Sequence, residues 1–330
     1  MPSRAGARTV DDRTSPPSMT AQPRVLFIGG LGRSGSTLLE RLLGQVDGVQ
    51  TLGEIVHLWV RGISRNETCG CGVPFLTCPF WEQVGQLAFG GWAQVDVADV
   101  VAMREHVDRL RHVPAVLTRP GAEVDRYVGM FRAIYDAVHQ VSGARVIVDS
   151  SKHPSLAYCL RTDKSLDLRA VHIVRDPRAV AYSWAKTVER PEAGDEEQFM
   201  NRYTPSRAAA LWTGENVAMS ALSKLGVPVI RLHYEALVAD PTRQLRRVLD
   251  FAGLPADAGL PVVDHRATLR PNHTVSGNPL RFHNGPLDIR RDDAWLTHLR
   301  PRDRRVVSAM TAGLRGLYKV RRGSNGTGPS

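Results

Sequence analysis

Cysteine is scarce in this chain. Four in 330 residues are too few for a disulfide scaffold at this length. No apolar run approaches the roughly 18 residues of a membrane-spanning helix, so no transmembrane segment is expected and a cytoplasmic location is. Repetition at a period of 20 to 50 residues is missing as well, which argues against a solenoid. Acidic residues are in deficit: 33 Asp and Glu face 43 Lys and Arg, a net charge of +10. Such a surplus suits a small polyanion, a nucleic acid or a membrane surface, and an arginine-rich compositional bias explains it equally well. What remains is ordinary. Hydrophobic content of 42% and charged content of 23% describe a globular protein able to bury one large α/β core.

Residues 1–22 carry Arg, Asp, Ser and Pro without an apolar stretch and read as a disordered leader, not a secretory signal. Residues 321–330, with the end RRGSNGTGPS, read as a frayed tail. Three cysteines cluster as C-x-C-x6-C, namely Cys69, Cys71 and Cys78 in NETCGCGVPFLTCPFW. Zinc would need a fourth ligand. The stretch holds no histidine, and His57 is the nearest candidate. Packing or a local disulfide is therefore the expectation, and no metal site. Cys159 reads as a small core residue in a helix.

The segment Pro23 to Val46, PRVLFIGGLGRSGSTLLERLLGQV, organises the chain. Val25 to Ile28 form an apolar run typical of a buried parallel strand. A glycine-rich turn, Gly29 to Gly35, follows. Then Leu38, Leu39, Leu42, Leu43 and Val46 recur on one helical face. A strand, a glycine loop and a helix N-terminus make a phosphate cradle, because backbone N–H groups converge on an anion. Against the nucleotide-triphosphate loop G-x-x-x-x-G-K-[ST], Gly30, Gly35 and Thr37 fit the frame, but Ser36 stands at the lysine position. The cation lies earlier, at Arg33, whose forked guanidinium suits bidentate binding of a terminal phosphate or sulfate.

Further apolar runs predict strands at Arg145–Asp149, Leu168–Val174 and Pro228–Leu232, with helices between them. Asp176 and Pro177 cap and open one helix. A second spans about Pro205 to Leu225, and a third opens near Asp240 and Pro241. Residues 60–95 read as a loop or lid, 96–142 as two helices broken around Pro114 to Pro120, 188–203 as a mobile excursion, and Asp292 to Leu317 as mostly helical. This alternation predicts an α/β, three-layer, P-loop-like fold. A mostly parallel sheet is flanked by helices and ligands sit at the carboxyl ends of the strands. Residues 23–320 form one domain, with 55–142 as a helical and loop substrate-binding insertion. Glu54, Lys152, Arg175 and Tyr234 all fall at or just after strand ends, which makes them site candidates.

GRSGSTLLERLLG resembles the 5′-phosphosulfate loop of the sulfotransferases that use 3′-phosphoadenosine 5′-phosphosulfate (PAPS). Arg175 and Ser183, eight residues apart across a helix start, resemble that family's 3′-phosphate motif. Gly53 and Glu54 resemble the Gly-Glu pair of the tyrosylprotein and Golgi carbohydrate branch. The resemblance implies PAPS as co-substrate, with about four negative charges that call for a basic cleft. No metal is required. It implies Glu54 as general base, and Arg33 and Lys152 as cations on the leaving phosphate; His57, one turn on in a helical segment, is a weaker base candidate. Gly32, Arg33, Ser34, Gly35, Ser36 and Thr37 would hold the 5′ side. Arg175, Ser183 and Tyr234 would hold the nucleotide, joined by Ser276, Gly277, Asn278 and Arg281 in HTVSGNPLRFHNG. The R-K-G-x-x-G stretch of the cytosolic phenol branch is absent. Lys186 and Arg190 only approximate the further arginine of the tyrosylprotein branch. The acceptor would be a hydroxyl of a sugar, phenol, lipid or natural product, with no nucleic-acid partner. The oligomeric state stays open. Two alternatives remain: a P-loop kinase or NTPase with magnesium on the Val146–Asp149 strand, and a non-catalytic nucleotide or polyanion binder.

Overall fold

The computed structural model describes residues 22–190, 199–255 and 259–318. The expected leader, the tail and the middle of the 188–203 excursion fall wholly or mostly outside them. Five strands build the main sheet: β1 Arg24–Gly29, β2 Val49–Thr51, β3 Val146–Lys152, β4 Leu168–Val174 and β5 Val229–His233. Their order is β2-β3-β1-β4-β5, and every neighbouring pair is parallel. β1 is central, and the chain winds out from it to both sides. The carboxyl end of β1 is thus the topological switch point where α/β sheets bind ligands.

The period of two along β1 separates two cores. Val25 and Phe27 join Trp59, Trp81, Tyr127, Phe131 and Leu156 on one face. Leu26 and Ile28 join Leu39, Leu42, Leu237, Leu245 and Leu249 on the other. Both faces are covered, so β1, β3 and β4 read as continuous apolar runs rather than alternating ones.

Helices α1 (Ser36–Leu43), α2 (Pro79–Phe89), α3 (Val97–Val107), α4 (Val113–Thr118) and α5 (Ala122–Ser142) precede β3. α6 (Pro154–Leu160) links β3 to β4, and α7 (Pro177–Ala185) and α8 (Pro205–Leu222) link β4 to β5. After β5 come α9 (Tyr234–Ala239) and α10 (Pro241–Phe251), then a small antiparallel sheet of β6 (Val262–Val263), β7 (Arg266–Leu269) and β8 (Gly285–Asp288). Three short helices follow, α11 (Trp295–His298), α12 (Pro301–Met310) and α13 (Ala312–Leu317).

The expected loop over 60–95 is in large part helical. Leu58–Ser64 forms a π-helical turn and Pro79 opens α2. Proline there is the first helical residue, where its missing N–H costs nothing. Phe80, Trp81 and Val84 then bury one face of α2. The break expected around Pro114 to Pro120 contains the short α4, with Pro114 in its first turn.

Candidate active site

All five parallel strands deliver a polar side chain or loop to one cavity of about 740 Å³. β1 runs into the loop that carries Gly32, Arg33 and Gly35, and α1 starts at Ser36 and Thr37. β2 leads to Glu54, β3 ends on Lys152, β4 is followed by Arg175, and β5 by Tyr234. Each of these residues lines the cavity, as do Ser183 from α7 and Gly277 and Asn278 from the late loop.

The β1–α1 loop takes its shape from unusual backbone. Gly35 caps α1 at φ +94°, and a Cβ there would meet the Tyr234 ring at 2.5 Å. Only glycine combines that dihedral with that approach. Arg33 itself sits at φ 72°. Its guanidinium lies over Trp184, 5.4 Å from the ring centroid, and the Trp184 indole N–H donates to Gly32 O at 2.9 Å. Burial lowers the Arg33 pKa and the Glu54 carboxylate opposes that.

Gly53 turns the chain from β2 towards Glu54 at φ +81°, against the backbone of Val275. Glu54 N–H donates to Val275 O at 2.8 Å, which fixes the start of this segment. The Lys152 ammonium donates to Glu54 Oε1 in a mostly buried ion pair. Lys152 adopts a left-handed φ of 70°, which a β-bulge between β1 and β3 accommodates. Burial alone would raise the Glu54 carboxyl. Lys152, helped by Arg61 and His153, outweighs it and holds Glu54 below its ordinary value. His57 Nε2 lies 3.7 Å from the other carboxylate oxygen. Burial first, and then the charges of Arg61 and His153, push the His57 pKa well below its usual value, so the ring is neutral at pH 7.

Arg175 is held from three sides. It donates to Arg33 O at 3.2 Å, and to Asp292 O and Oδ2 at 3.1 Å each. It also stacks over Tyr234, 4.3 Å from the ring centroid. A single hydrogen bond therefore ties the two arginine cradles together, one at the tip of β1 and one at the tip of β4.

A sequence model described as the Sulfotransferase family matches residues 23–258. The chain belongs to that family. The matched span of this sulfotransferase runs from β1 through α10 and stops before the late loop with Gly277 and Asn278. No curated protein matches the sequence. Among solved structures, the sulfotransferase domain of the Synechococcus PCC 7002 olefin synthase is 21% identical, with 88% of each chain covered and a TM-score of 0.39. The sulfotransferase domain of the curacin biosynthetic pathway is 17% identical, covering 88% of this chain and 99% of that one, with a TM-score of 0.45. Sulfotransferase STF9 from Mycobacterium avium is 12% identical, covering 91% and 78%, with a TM-score of 0.46.

Three of the expected site residues do not reach the cavity wall of the sulfotransferase. Arg281 is turned inward: its guanidinium donates to Thr274 O at 2.8 Å and Thr68 O at 2.7 Å. Two carbonyls accept from the guanidinium that was expected to meet a phosphate, so Arg281 holds the late loop. Ser276 accepts from Arg61 at 2.5 Å, behind the wall. Ser34 is buried within the β1–α1 loop. Arg190 lines the cavity but pairs with Glu67 at 2.9 Å, whereas Lys186 lies over the Tyr182 ring.

The structure adds residues that the sequence did not single out. Glu40 on α1 is buried beneath Glu54. It accepts from Gly53 N–H at 2.7 Å and from the Ser150 hydroxyl at 2.8 Å, and burial raises its pKa to about 7. Glu215 on α8 lines the cavity, and burial raises it to about 7 as well. Asp292 anchors Arg175. No local pattern announces Glu215 or Asp292. A glutamate on the apolar side of α1 was the one available signal, for Glu40. Asp149, the magnesium ligand of the kinase alternative, is fully buried. It accepts from the Tyr135 hydroxyl at 2.7 Å and Ser151 N–H at 2.8 Å, outside the cavity. His273, not His57, is the histidine beside the three clustered cysteines, all of them free thiols.

Proposed function

We propose that the protein transfers the sulfuryl group of PAPS to a hydroxyl acceptor and releases adenosine 3′,5′-bisphosphate. The observation that carries this reading is the convergence of Arg33, Glu54, Lys152, Arg175 and Tyr234, from five strand ends, on one cavity. In this assignment the phosphosulfate lies over the N–H groups of the β1–α1 loop and α1, where the helix dipole favours an anion. Arg175 and Ser183 take the 3′-phosphate, and Tyr234 lies beside the nucleotide.

The acceptor oxygen attacks sulfur and forms the new O–S bond. The bond from sulfur to the bridging phosphate oxygen breaks, and its electron pair leaves with the bisphosphate. Glu54 takes the hydroxyl proton. Lys152 and Arg33 stabilise the charge that grows on the departing oxygen, an interaction stronger in the transition state than in the ground state. The Glu54–Lys152 pair gives this step an order. A phosphosulfate draws Lys152 towards itself, and a carboxylate released from its cation becomes a stronger base. The insertion over residues 55–142 supplies His57 and Arg61 on the acceptor side.

Incubation with ³⁵S-labelled PAPS and a small-molecule extract of the host tests the assignment. Labelled, chromatographically discrete products and stoichiometric bisphosphate are the expected result. A protein that binds the bisphosphate but labels nothing across sugars, phenols, lipids and natural products would instead be a binder.

A further inference from the structure

Cys69, Cys71, Cys78 and His273 bring their Sγ and Nδ1 atoms within 4.8 Å of one another, apart from the cavity described above. The measured pairs are Cys71 Sγ to Cys78 Sγ at 3.6 Å, Cys78 Sγ to His273 Nδ1 at 3.3 Å and Cys69 Sγ to His273 Nδ1 at 3.8 Å. A tetrahedral zinc with Zn–S of about 2.3 Å and Zn–N of about 2.0–2.1 Å has S···S edges of about 3.8 Å and S···N edges of about 3.6 Å. Three of the six edges are already near those values, and none exceeds 4.8 Å. A disulfide needs sulfurs at about 2.05 Å, and any one pairing of three thiols strands the third thiol and the imidazole.

The surroundings hold the four groups in place. Cys69 and Cys71 sit on a tight turn closed by Cys69 N–H to Val73 O at 2.8 Å and Gly72 N–H to Cys69 O at 2.9 Å. Cys78 directly precedes α2. The His273 ring stacks on Phe80, centroids 4.7 Å apart and 13° from parallel, and its carbonyl accepts from the Trp81 indole at 2.8 Å. Fixing the ring from its face and its backbone orients Nδ1 on the sulfurs, the role that outer-shell partners play at metal sites.

We propose that these four residues bind one structural zinc ion. Three thiolates and an imidazole are soft and borderline ligands that favour zinc over magnesium or calcium. Four protein ligands close the coordination shell, which makes the site structural rather than catalytic. Its mechanical effect follows from where the ligands lie. Three are on the segment before α2, and the fourth is 195 residues beyond Cys78. The next residues, Thr274 and Val275, bond to Gly70 and Glu54, and Gly277 and Asn278 line the cavity. The ion therefore clips the insertion to the late loop that forms one wall of the site.

Metal analysis of the full chain, purified under reducing conditions without added metal, tests this independently of any sulfotransferase activity. About one zinc per chain is expected. Replacement by cobalt should give the visible absorption of a tetrahedral thiolate site. Cys78→Ser and, at the half-buried position, Cys71→Ser should each lose the bound zinc and melt earlier, whereas Cys159→Ala should keep the metal. Failure to take up zinc or cobalt after reduction would overturn the proposal. So would an intact mass two protons low that marks a disulfide, or full zinc content in both serine variants. Stoichiometric iron in place of zinc would overturn the choice of metal.

Discussion

Arg175→Ala is the most informative substitution in the nucleotide cradle. The side chain is 7% exposed and stacks on Tyr234, so an anion bound there meets a cation partly screened from water. Its loss removes a charged partner from a partly buried site, at a cost of about 2–5 kcal/mol. At about 1.4 kcal/mol per tenfold, that is a loss of roughly 30-fold to several-thousand-fold in affinity for adenosine 3′,5′-bisphosphate. Asp292 is the partner left behind. Its side chain is 40% exposed, so water takes over its solvation and the fold should survive. Arg175→Lys keeps the charge but cannot span both Arg33 O and Asp292, so its loss should fall between. Calorimetric titration of the wild type and both variants reads the effect, with adenosine 5′-phosphosulfate as the control ligand lacking the 3′-phosphate. A contact between Arg175 and the 3′-phosphate predicts a far smaller loss for the control. Equal losses for both ligands would refute the assignment of Arg175 to the 3′-phosphate.

Three other substitutions probe the remaining parts of the site. Glu54→Gln should lower turnover by about 100-fold or more while donor affinity changes little; near-normal turnover would move the base to His57 or Glu215. Gly35→Ala should abolish measurable donor binding, because its Cβ would enter the Tyr234 ring at a backbone angle that L side chains rarely adopt; wild-type binding would remove the loop from the cradle. Burial raises Glu40 from 4.5 to about 7, so the folded state binds the extra proton. Its contribution to stability is complete below about pH 4.5 and is lost as pH rises through about 7. Denaturant melts of Glu40→Gln across that window should therefore decline less steeply with pH than those of wild type, and parallel curves would show that Glu40 does not titrate there.

The sheet and four of its five strand tips were legible because a parallel strand buried on both faces is a plain apolar run, and a polar residue just beyond such a run stands at the ligand-binding edge. The Arg33 loop, Lys152, Arg175 and Tyr234 stand there, whereas Glu54 follows the short, half-buried β2 and was singled out by the resemblance to the Gly-Glu pair. What was hidden depends on distant pairings. Glu40 is buried because Gly53 N–H and Ser150 need an acceptor, and Asp292 matters because Arg175 lies above it. Neither relation leaves a local pattern. Arg281 was hidden in a similar way: a basic loop residue looks open to a phosphate until Thr274 O of its own loop and the distant Thr68 O accept from it. In residues 60–95, Gly, Pro and Cys suggested a loop, but Pro79 starts a helix and the three cysteines gather around a histidine from the far end of the chain.

In the proposed function the loop after β1 and the arginine after β4 grip opposite ends of one sulfated adenine nucleotide. Titration of the protein with adenosine 3′,5′-bisphosphate in magnesium-free buffer tests it most directly. One bisphosphate bound per chain, competed by PAPS and weakened separately by Arg33→Ala and Arg175→Ala, is the predicted result. Binding of ATP that depends on magnesium, with none of the bisphosphate, would contradict it.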